Sequence, residues 1–340
     1  MKRVIIIAEA GPNHNGKLKF AYKLVDLAKK SGADFVKFQT SIPKMHISKF
    51  AKKAKYQNKN GLQNENQLSM ANKFRLSYKN FKKLKKYCNK KKIEFLSTPF
   101  DLKSIDFLGK LNMKFIKIPS GEITNLPYLQ KIARLEKKVI LSTGMSNMKE
   151  IENALKILVS NGTRKKNITI MQCNTEYPTP IYHANLRAML SLKKKFKVSI
   201  GYSDHTEGIE ASLAATALGA TIIEKHFTLN KNLSGPDHKT SITGNELKKL
   251  VKGVRKISIA LGDGIKKVSA SEKKNIIIAR NSLVAATNIK KGEKFSKKNL
   301  TVKRPGNGIS PMKLFQVIGK IAKKNFTEDE LIKIWKKFAL

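Results

Sequence analysis

The sequence predicts an α/β chain that folds into a (β/α)8 TIM barrel followed by a small C-terminal domain. Eight short apolar runs recur along the chain, and amphipathic segments of helix length lie between most of them. Strands that alternate with helices favour a parallel sheet, and eight such units in about 260 residues are typical of this barrel. The predicted strands are residues 4–7, 35–38, 93–96, 115–118, 139–141, 168–171, 198–200 and 222–223, and examples of the predicted helices are 18–30, 81–92, 150–159 and 209–218.

Polar side chains follow or close each apolar run. In a (β/α)8 barrel the carboxyl ends of the strands surround a single active site. We therefore expect these side chains to lie around one mouth, and we expect the chain to be an enzyme. They are Glu9, Lys37, Gln39, Ser97, Thr98, Lys117, Ser120, Ser142, Thr143, Asn174, Ser203, His205, Glu224 and His226.

Length and composition place limits on the type of protein. With 340 residues and 41% hydrophobic residues, the chain can bury the core of one large barrel and a small domain. It has no apolar run of about 18 residues, so we expect no membrane partner. Its start runs straight into a strand without the pattern of a signal peptide. Cys88 and Cys173 are too few for a disulfide framework or a cysteine-based zinc site, and a cytoplasmic location is the prediction.

The formal charge of +45 raises a non-enzyme alternative, a basic nucleic-acid-binding protein. Only eight of the 69 basic residues are arginine, however, whereas base readers and phosphate clamps favour the arginine fork. The lysines are spread over nearly every predicted helix, and the abundant Asn and Ile beside them indicate an AT-rich coding bias. We therefore expect no specific nucleic-acid partner, although the charge would help to steer an anionic substrate.

The pattern changes near residue 263, after the last long amphipathic segment. We predict a barrel domain at 1–262, a linker at 263–280 and a small mixed domain at 281–340. The polar stretch 51–72 is expected to be a long loop that covers the site. Within the small domain the predicted elements are strands at 282–285 and 300–302, a turn at 290–293, a helix at 311–318 and a basic helix that begins at Asp329.

Two histidines at neighbouring strand ends predict a metal site. His205 and His226 close the seventh and eighth strands, so their imidazoles can converge on one ion. Imidazole ligands suit Mn, Zn, Fe or Co better than Mg. The remaining histidines are expected to be structural or to contact substrate, and they are His14, His46, His183 and His238.

Two lysines inside apolar strands predict an anion site. Lys37 and Lys117 would be costly to bury unless each meets an anion. With serine hydroxyls at nearby strand ends they would form a cradle for a phosphate or carboxylate. The alternative is that the lysines pair with Glu9 or Glu122 in the barrel mouth. The serines in question are Ser120, Ser142 and Ser203, and Cys173 is expected to be a buried neutral thiol beside them.

Motifs along essentially the whole chain resemble the sialic acid synthase family. They occur in the family's order, and the last resembles its antifreeze-like, or SAF, domain. The strings are AEAGPNHNG (8–16), VKFQ (36–39), STPF (97–100), KIPSGE (117–122), STG (142–144), YPTP (177–180), GYSDH (201–205), EKHF (224–227), GPD (235–237) and, in the SAF region, VKRPGNG (302–308).

The resemblance implies an activity, a metal and an assembly. The family condenses phosphoenolpyruvate with an open-chain N-acetylated mannosamine to give a nine-carbon 2-keto acid. It uses a divalent metal, typically manganese, with magnesium or cobalt as alternatives, and it forms a homodimer whose C-terminal domains are exchanged. The CNTEYP and GPDHK strings look closer to legionaminic acid synthases, which use a 2,4-diacetamido-6-deoxy-mannose, than to N-acetylneuraminate synthases.

The same resemblance implies roles for individual residues. His205 and His226 would be metal ligands, and Glu122 would position or deprotonate the attacking water. Where relatives carry Cys-Thr-Asn this chain has Cys173-Asn174-Thr175, which leaves the matching role open between Asn174 and Thr175. Phosphoenolpyruvate would be held by Lys37, Thr98, Lys117, Ser120, Ser142, Asn174 and Ser203. The sugar would meet Glu9, Gln39, Tyr177, Asp237 and the partner chain's Arg304, and Glu9, Lys117 and Arg304 would also contribute to catalysis.

Three alternatives remain beside this family. A keto-deoxy-octulosonate type synthase would share the barrel and the use of phosphoenolpyruvate, but it would not explain the C-terminal domain. A nucleic-acid-binding protein would explain the charge but not the polar residues at the strand ends. An ice-binding role is suggested only by the name of the terminal domain, whose many lysines do not fit the flat apolar face that such binding needs.

Overall fold

A computed structural model describes residues 3–53 and 66–334 of the chain. Eight parallel strands form one sheet in the order β3-β2-β1-β8-β7-β6-β5-β4, and the two edge strands, β3 and β4, contact each other. The sheet is therefore a nearly closed barrel, and the predicted fold class is confirmed. The strands are β1 (Ile5–Gly11), β2 (Phe35–Thr40), β3 (Glu94–Pro99), β4 (Phe115–Ile118), β5 (Lys138–Ser142), β6 (Ile168–Cys173), β7 (Ser199–Asp204) and β8 (Ile222–His226).

Amphipathic helices surround this barrel. The first helix, for example, buries Ala21, Leu24, Val25 and Ala28, a spacing that presents one apolar face to the strands. Two of the helices begin with a capping box, which satisfies backbone N–H groups of the first turn. Among the described residues of this part of the chain, the helices are α1 (Leu18–Ser31), α2 (Gln67–Lys73), α3 (Tyr78–Lys91), α4 (Leu102–Gly109), α5 (Leu126–Ala133), α6 (Met148–Ser160), α7 (Ala188–Phe196), α8 (Glu210–Ala217) and α9 (Gly244–Ala260).

The interior of the barrel is layered. A small apolar cluster fills the lower part of the interior. It is distinct from the large core, to which buried residues of the helices belong. Side chains two residues apart on a strand point the same way, so the residue two positions after each member of this cluster also points inward, nearer the carboxyl end. Those next positions are mostly polar. The members of the apolar cluster are Ile7, Phe35, Leu96, Ile140, Met171 and Ile222.

The chain forms two compact units, Met1–Asp263 and Gly264–Leu340. The second unit has its own core, which includes Leu283, Phe295 and Phe326. Its strands β9 (Ser282–Ala285) and β10 (Leu300–Lys303) are antiparallel. Up to residue 334 its helices are α10 (Lys273–Ala279) and α11 (Leu314–Val317), the latter preceded by a single 3-10 turn, Pro311–Lys313.

Three predictions about individual segments need correction. No helix begins at Asp329 within the described residues, because Asp329 has a positive φ of 66° and the chain after it pairs with β9 through Leu331 and Ile332. The end of the predicted loop 51–72 forms α2, and residues 54–65 of that loop lie outside the described residues. The predicted linker contains α10. In the described part of the chain no helix is long and apolar enough to cross a membrane.

Candidate active site

Four charged side chains form a layer directly above the apolar cluster in the barrel. Lys37 Nζ lies 2.9 Å from Glu9 Oε2 and 3.5 Å from Glu224 Oε1, while Lys117 Nζ donates to both oxygens of Glu224 at 2.9 and 2.8 Å. All four are almost completely buried. We call Glu9, Lys37, Lys117 and Glu224 the inner charged layer. Its formal charges sum to zero when all four groups are ionised.

The four groups perturb one another's pKa values. Burial alone would raise the pKa of Glu224, but Lys117 and Lys37 outweigh it and lower that pKa to about 2. Burial raises the pKa of Glu9 despite the opposing effect of Lys37. Burial also lowers the pKa of Lys117, whereas for Lys37 the two glutamates overcome burial and raise the pKa. Opposite shifts in neighbouring carboxyls are typical of groups that divide acid and base roles.

Hydroxyl groups surround the charged layer and line a cavity of about 180 Å³ above it. Lys37 Nζ donates to Thr98 Oγ1 at 3.0 Å, and Ser203 Oγ donates to Glu224 Oε1 at 3.2 Å. Ser120 Oγ accepts from the Gly144 N–H at 3.0 Å. A Cβ atom at Gly144 would lie 2.6 Å from Thr175, which explains why glycine follows Ser142 and Thr143 at this strand end. The cavity therefore presents ammonium and hydroxyl donors to an anion.

The two predicted histidines stand side by side at the cavity. The ring centroids of His205 and His226 are 5.5 Å apart. The Nδ1–H of His205 donates to the carbonyl of Asn174, so its Nε2 is an acceptor and takes a hydrogen bond from the Tyr177 hydroxyl at 3.0 Å. His226 Nδ1 is buried without a hydrogen-bond partner and lies 3.7 Å from Asp237 Oδ2. One imidazole is thus oriented by the backbone, and the other has an unpaired nitrogen.

Burial keeps both imidazoles neutral at ordinary pH, as a metal ligand must be. It lowers the pKa of His205 to about 4, against a smaller opposing effect of the Asn174 carbonyl, and it lowers the pKa of His226 as well. No group of three or more His, Cys, Asp or Glu side chains is arranged to hold a metal within 3–53 and 66–334. The pair fits an open metal site in which water or substrate oxygens complete the coordination.

The structure brings most of the predicted site residues together. Asp237 lines a neighbouring cavity that shares Tyr177 and His226 with the first. Cys173 is buried, as predicted, and its sulfur lies 3.2 Å from Ser120 Oγ. The predicted residues that line the first cavity are Glu9, Lys37, Gln39, Thr98, Lys117, Ser120, Ser142, Tyr177, Ser203, His205 and His226.

Three residues to which the family resemblance gave roles line neither cavity. Glu122 accepts a hydrogen bond from Asn125 at 2.6 Å outside both, because the 3-10 turn after β4 directs Ser120 and Gly121 inward instead. Asn174 uses its side chain locally, accepting from the Glu176 N–H, and Thr175 lines the first cavity in its place. Arg304 belongs to the second unit, where its side chain is exposed.

Glu224 of the inner charged layer was predicted to lie at the barrel mouth, but no role was predicted for it. Pairing with Glu9 or Glu122 was the alternative considered to an anion cradle. Lys37 does contact Glu9, but Lys117 pairs with Glu224, which Lys37 also contacts. The sequence does carry a signal for this, since Glu224 stands two residues before His226 on one strand. Residues two apart on a strand share a face, so Glu224 had to point inward with the histidine.

A second buried ion pair lies on β7 and β8, on the opposite face of these strands from Ser203 and Glu224. Lys225 Nζ is 3.0 Å from Asp204 Oδ2 and donates to the Thr206 carbonyl at 2.6 Å. Asp204 also accepts from the Thr206 N–H and hydroxyl and from the Ser212 hydroxyl, at 2.9, 2.7 and 2.6 Å. We call Asp204 and Lys225 the outer ion pair. Neither residue lines the cavity.

Comparison with known proteins identifies the family of the chain. The profile of the NeuB family matches residues 24–266, and that of the SAF domain matches 280–334. The chain is 60% identical to the N,N'-diacetyllegionaminic acid synthase of Campylobacter jejuni over 98% of its length and all of that protein's. It is 41% identical to the enzyme of the same name from Legionella pneumophila, over 95% of this chain and 91% of that one.

A solved structure shows the same fold. The N-acetylneuraminic acid synthetase of Leptospira borgpetersenii, in complex with citrate, superposes with a TM-score of 0.71 at 35% identity and covers 81% of this chain and 90% of its own. The synthase family expected from the motifs is confirmed. The family profile spans most of the barrel unit, and the Campylobacter jejuni relative is similar over nearly the whole chain. The chain therefore belongs to the NeuB family and carries a SAF domain.

Proposed function

We propose that the protein is a nonulosonic acid synthase that condenses phosphoenolpyruvate with a 2,4-diacetamido-6-deoxy-mannose to give N,N'-diacetyllegionaminate and phosphate. The observation that carries this proposal is the inner charged layer beneath two neutral imidazoles, since it offers an anion site and a carbonyl-activating site in one cavity. The 60% identity to a diacetyllegionaminic acid synthase supports this sugar over N-acetylmannosamine. Family membership also favours the enzyme over the nucleic-acid-binding alternative.

Phosphoenolpyruvate binds through the ammonium groups of Lys37 and Lys117 and the hydroxyls around them. Charge-assisted hydrogen bonds to phosphate and carboxylate oxygens are strong, and the barrel fixes the donors before substrate arrives. With both substrates held, C3 of phosphoenolpyruvate faces the sugar aldehyde and forms the new C–C bond, a positioning effect worth several kcal/mol. The hydroxyl donors proposed for this role are Thr98, Ser120, Ser142 and Ser203, with Thr175 in the place considered for Asn174.

His205 and His226 would hold a divalent metal, with manganese the first candidate and magnesium or cobalt the alternatives. As a Lewis acid, such an ion makes the aldehyde carbon more electrophilic. The protein supplies two neutral imidazoles for it, and the Asn174 carbonyl orients that of His205. Gln39, Tyr177 and Asp237 lie beside them and would orient the sugar.

After C–C bond formation, water adds to C2 of the former phosphoenolpyruvate, and phosphate leaves with cleavage of the C2–O bond. The water must lose a proton in this step. Glu9 replaces Glu122 as the proposed base because it lines the cavity and burial raises its pKa. A carboxylate with a raised pKa is a better base near neutral pH.

We further propose an exchanged homodimer in which Arg304 acts on the partner's barrel. The loop that carries Arg304 is held firmly within its own unit: Ser282 Oγ donates to the Pro305 carbonyl at 2.6 Å and accepts from the Gly308 N–H at 2.9 Å. A Cβ atom at Gly306 would meet the Ile276 carbonyl at 2.4 Å. A fixed loop with an exposed guanidinium suits recognition of sugar or amide oxygens.

A cytoplasmic location is part of the same proposal. Cys88 and Cys173 are both free and buried. Burial raises the pKa of Cys88 to about 12, so its thiol is unreactive. Unpaired cysteines are usual in a reducing compartment.

One experiment tests the proposed reaction directly. The protein with manganese is incubated with phosphoenolpyruvate that carries ¹⁸O in the bridging position, together with the 2,4-diacetamido-6-deoxy-mannose or, in a separate reaction, N-acetylmannosamine. We expect a nine-carbon keto acid by mass spectrometry, and we expect the label in the released phosphate because the C–O bond breaks. Label retained in the keto acid, or no product with either candidate sugar, would contradict the proposal.

A further inference from the structure

A second cavity, of about 240 Å³, adjoins the first and shares four lining residues with it. The shared residues are Gln39, Phe100, Tyr177 and His226. On the proposed function, the sugar aldehyde lies at these shared residues, beside the histidines. The rest of the sugar must then extend into the second cavity, which we call the outer cavity.

One side of the outer cavity is apolar. α2 and the residue that follows it contribute Met70, Ala71 and Phe74, and Ile47 lies beside them after the 3-10 turn Pro43–Met45. Met70 is buried, and the other three are half-buried. We call Ile47, Met70, Ala71 and Phe74 the apolar wall. Hydroxyl groups of a sugar would lose water against this wall without finding hydrogen-bond partners.

The apolar wall is fixed in place by its own helix. The Asn66 side chain caps α2 by accepting from the Ser69 N–H at 2.8 Å. At the other end of α2, Gly16 has a φ of 69°, and a Cβ atom there would lie 2.6 Å from the Lys73 carbonyl. Only glycine allows the loop after β1 to approach α2 so closely. The wall is therefore preorganised against the barrel before substrate binds.

Charge in the outer cavity is sparse compared with the inner one. Among its described lining residues Arg75 alone carries a permanent positive charge, and the Asp237 carboxylate opposes it. Burial lowers the pKa of His14 to about 4, so that imidazole is neutral. A phosphate group on the far end of a sugar would thus meet one exposed guanidinium and an apolar surface. A methyl group would meet a surface suited to it.

We infer that the apolar wall is the specificity subsite of the enzyme, which selects acylated amino sugars whose distal carbons carry methyl-bearing groups over hydroxylated or phosphorylated ones. This inference rests on the proposed function and adds the residues that choose the sugar. The methyl of an acetamido group or of a 6-deoxy carbon packs on Met70 and Phe74. Gln67, which lines the same cavity, can hydrogen-bond the amide.

The test compares two sugars with the manganese-loaded full-length protein. For 2,4-diacetamido-6-deoxy-mannose and for N-acetylmannosamine, kcat/KM is measured in wild type, in Met70→Gln and in Asn72→Gln. Met70→Gln keeps the length of the side chain but makes the apolar wall polar. Asn72→Gln is the matched control on the exposed side of α2. We expect Met70→Gln to lower kcat/KM for the diacetamido sugar by about 10-fold or more, the scale of one misplaced group in an apolar pocket. The kcat/KM for N-acetylmannosamine and the KM for phosphoenolpyruvate should change little.

The outcomes separate the inference from the function on which it rests. Equal losses for both sugars, or an unchanged ratio of the two kcat/KM values, would overturn the apolar wall as a specificity subsite. If Met70→Gln fails to fold, Ala71→Ser makes the same comparison at a half-buried position with less added volume. A wild type that condenses neither sugar with phosphoenolpyruvate overturns the proposed function itself.

Discussion

The inner charged layer and the outer ion pair share strand β8 but differ in how their charges are satisfied. Glu224 and Lys225 are neighbours on β8, and both are buried. Asp204 of the outer ion pair takes hydrogen bonds from three local donor groups in addition to its lysine. The inner layer instead pairs across the barrel, from β1, β2 and β4 to β8, beneath a cavity. Burial of charge alone therefore does not distinguish the two clusters, whereas contact with a cavity does, because only the inner layer lines one.

The largest expected effect is at the imidazoles above the inner layer. His205→Ala should reduce turnover to background, and chelation with EDTA should do the same to wild type until manganese is restored. Bound manganese, measured by electron paramagnetic resonance, should fall in parallel. His183→Ala, at an exposed histidine, is the control. Full turnover after exhaustive chelation would remove the metal from the proposed mechanism.

The next effect separates the two charge clusters by function. Lys117→Met leaves Glu224 without its closest partner and removes a donor to phosphoenolpyruvate, which should cost about 2–5 kcal/mol, or roughly 30-fold or more in kcat/KM for phosphoenolpyruvate. The KM for the sugar should change far less. Lys114→Met, at an exposed lysine just before β4, is the matched control. Equal losses for the two substrates would indicate that Lys117 supports the stability of the barrel, which is the role we expect for the outer ion pair.

The outer ion pair should show the reverse behaviour. Lys225→Met leaves the Asp204 carboxylate buried beside no cation, which should lower the free energy of unfolding by about 3–5 kcal/mol. Urea denaturation measures this loss. At a temperature where the variant is folded, kcat should stay within about 3-fold of wild type, since such pairs act on stability. A stable variant without activity would show that the two clusters are not separate.

The smallest expected effect concerns a buried neutral group that belongs to neither cluster. Burial lowers the pKa of His14 to about 4, and its Nδ1 accepts from the Gly16 N–H at 3.0 Å. The unfolded chain binds a proton at this group near pH 6.5 but the folded chain does not, so stability falls as pH drops from about 6.5 toward 4, by up to about 1.4 kcal/mol per pH unit. As the pH falls from 7 to 5, the urea midpoint of wild type should fall more steeply than that of His14→Asn. Parallel curves would show that His14 does not contribute.

The barrel could be predicted from sequence because its signals are local. Each buried strand is a short apolar run, and each run ends in a residue with useful chemistry, so His205, His226, Lys37 and Lys117 were all expected at one mouth. The family was predicted for a related reason, since most of its motifs lie at or near these ends. The roles assigned to those residues remain predictions.

What could not be predicted depends on contacts between distant segments. Lys117 could have turned to Glu122 nearby or to Glu224 far along the chain, and only the closed barrel decides between them. The segment after Asp329 has the composition of a basic helix, but pairing with β9 overrides that preference. α2 went unrecognised because it has only seven residues and its capping Asn66 is one of several asparagines in a long polar stretch.

The alternation of Glu224, Lys225 and His226 on β8 has a consequence for how this gene can change. Insertion or deletion of one residue before Glu224 would shift the strand's register and turn each side chain to the opposite face. Lys225 would enter the barrel, while Glu224 and His226 would turn toward the helices, so the active site and the outer ion pair would be lost together. Length variants should therefore be absent from this strand in functional descendants of the gene and confined to its loops.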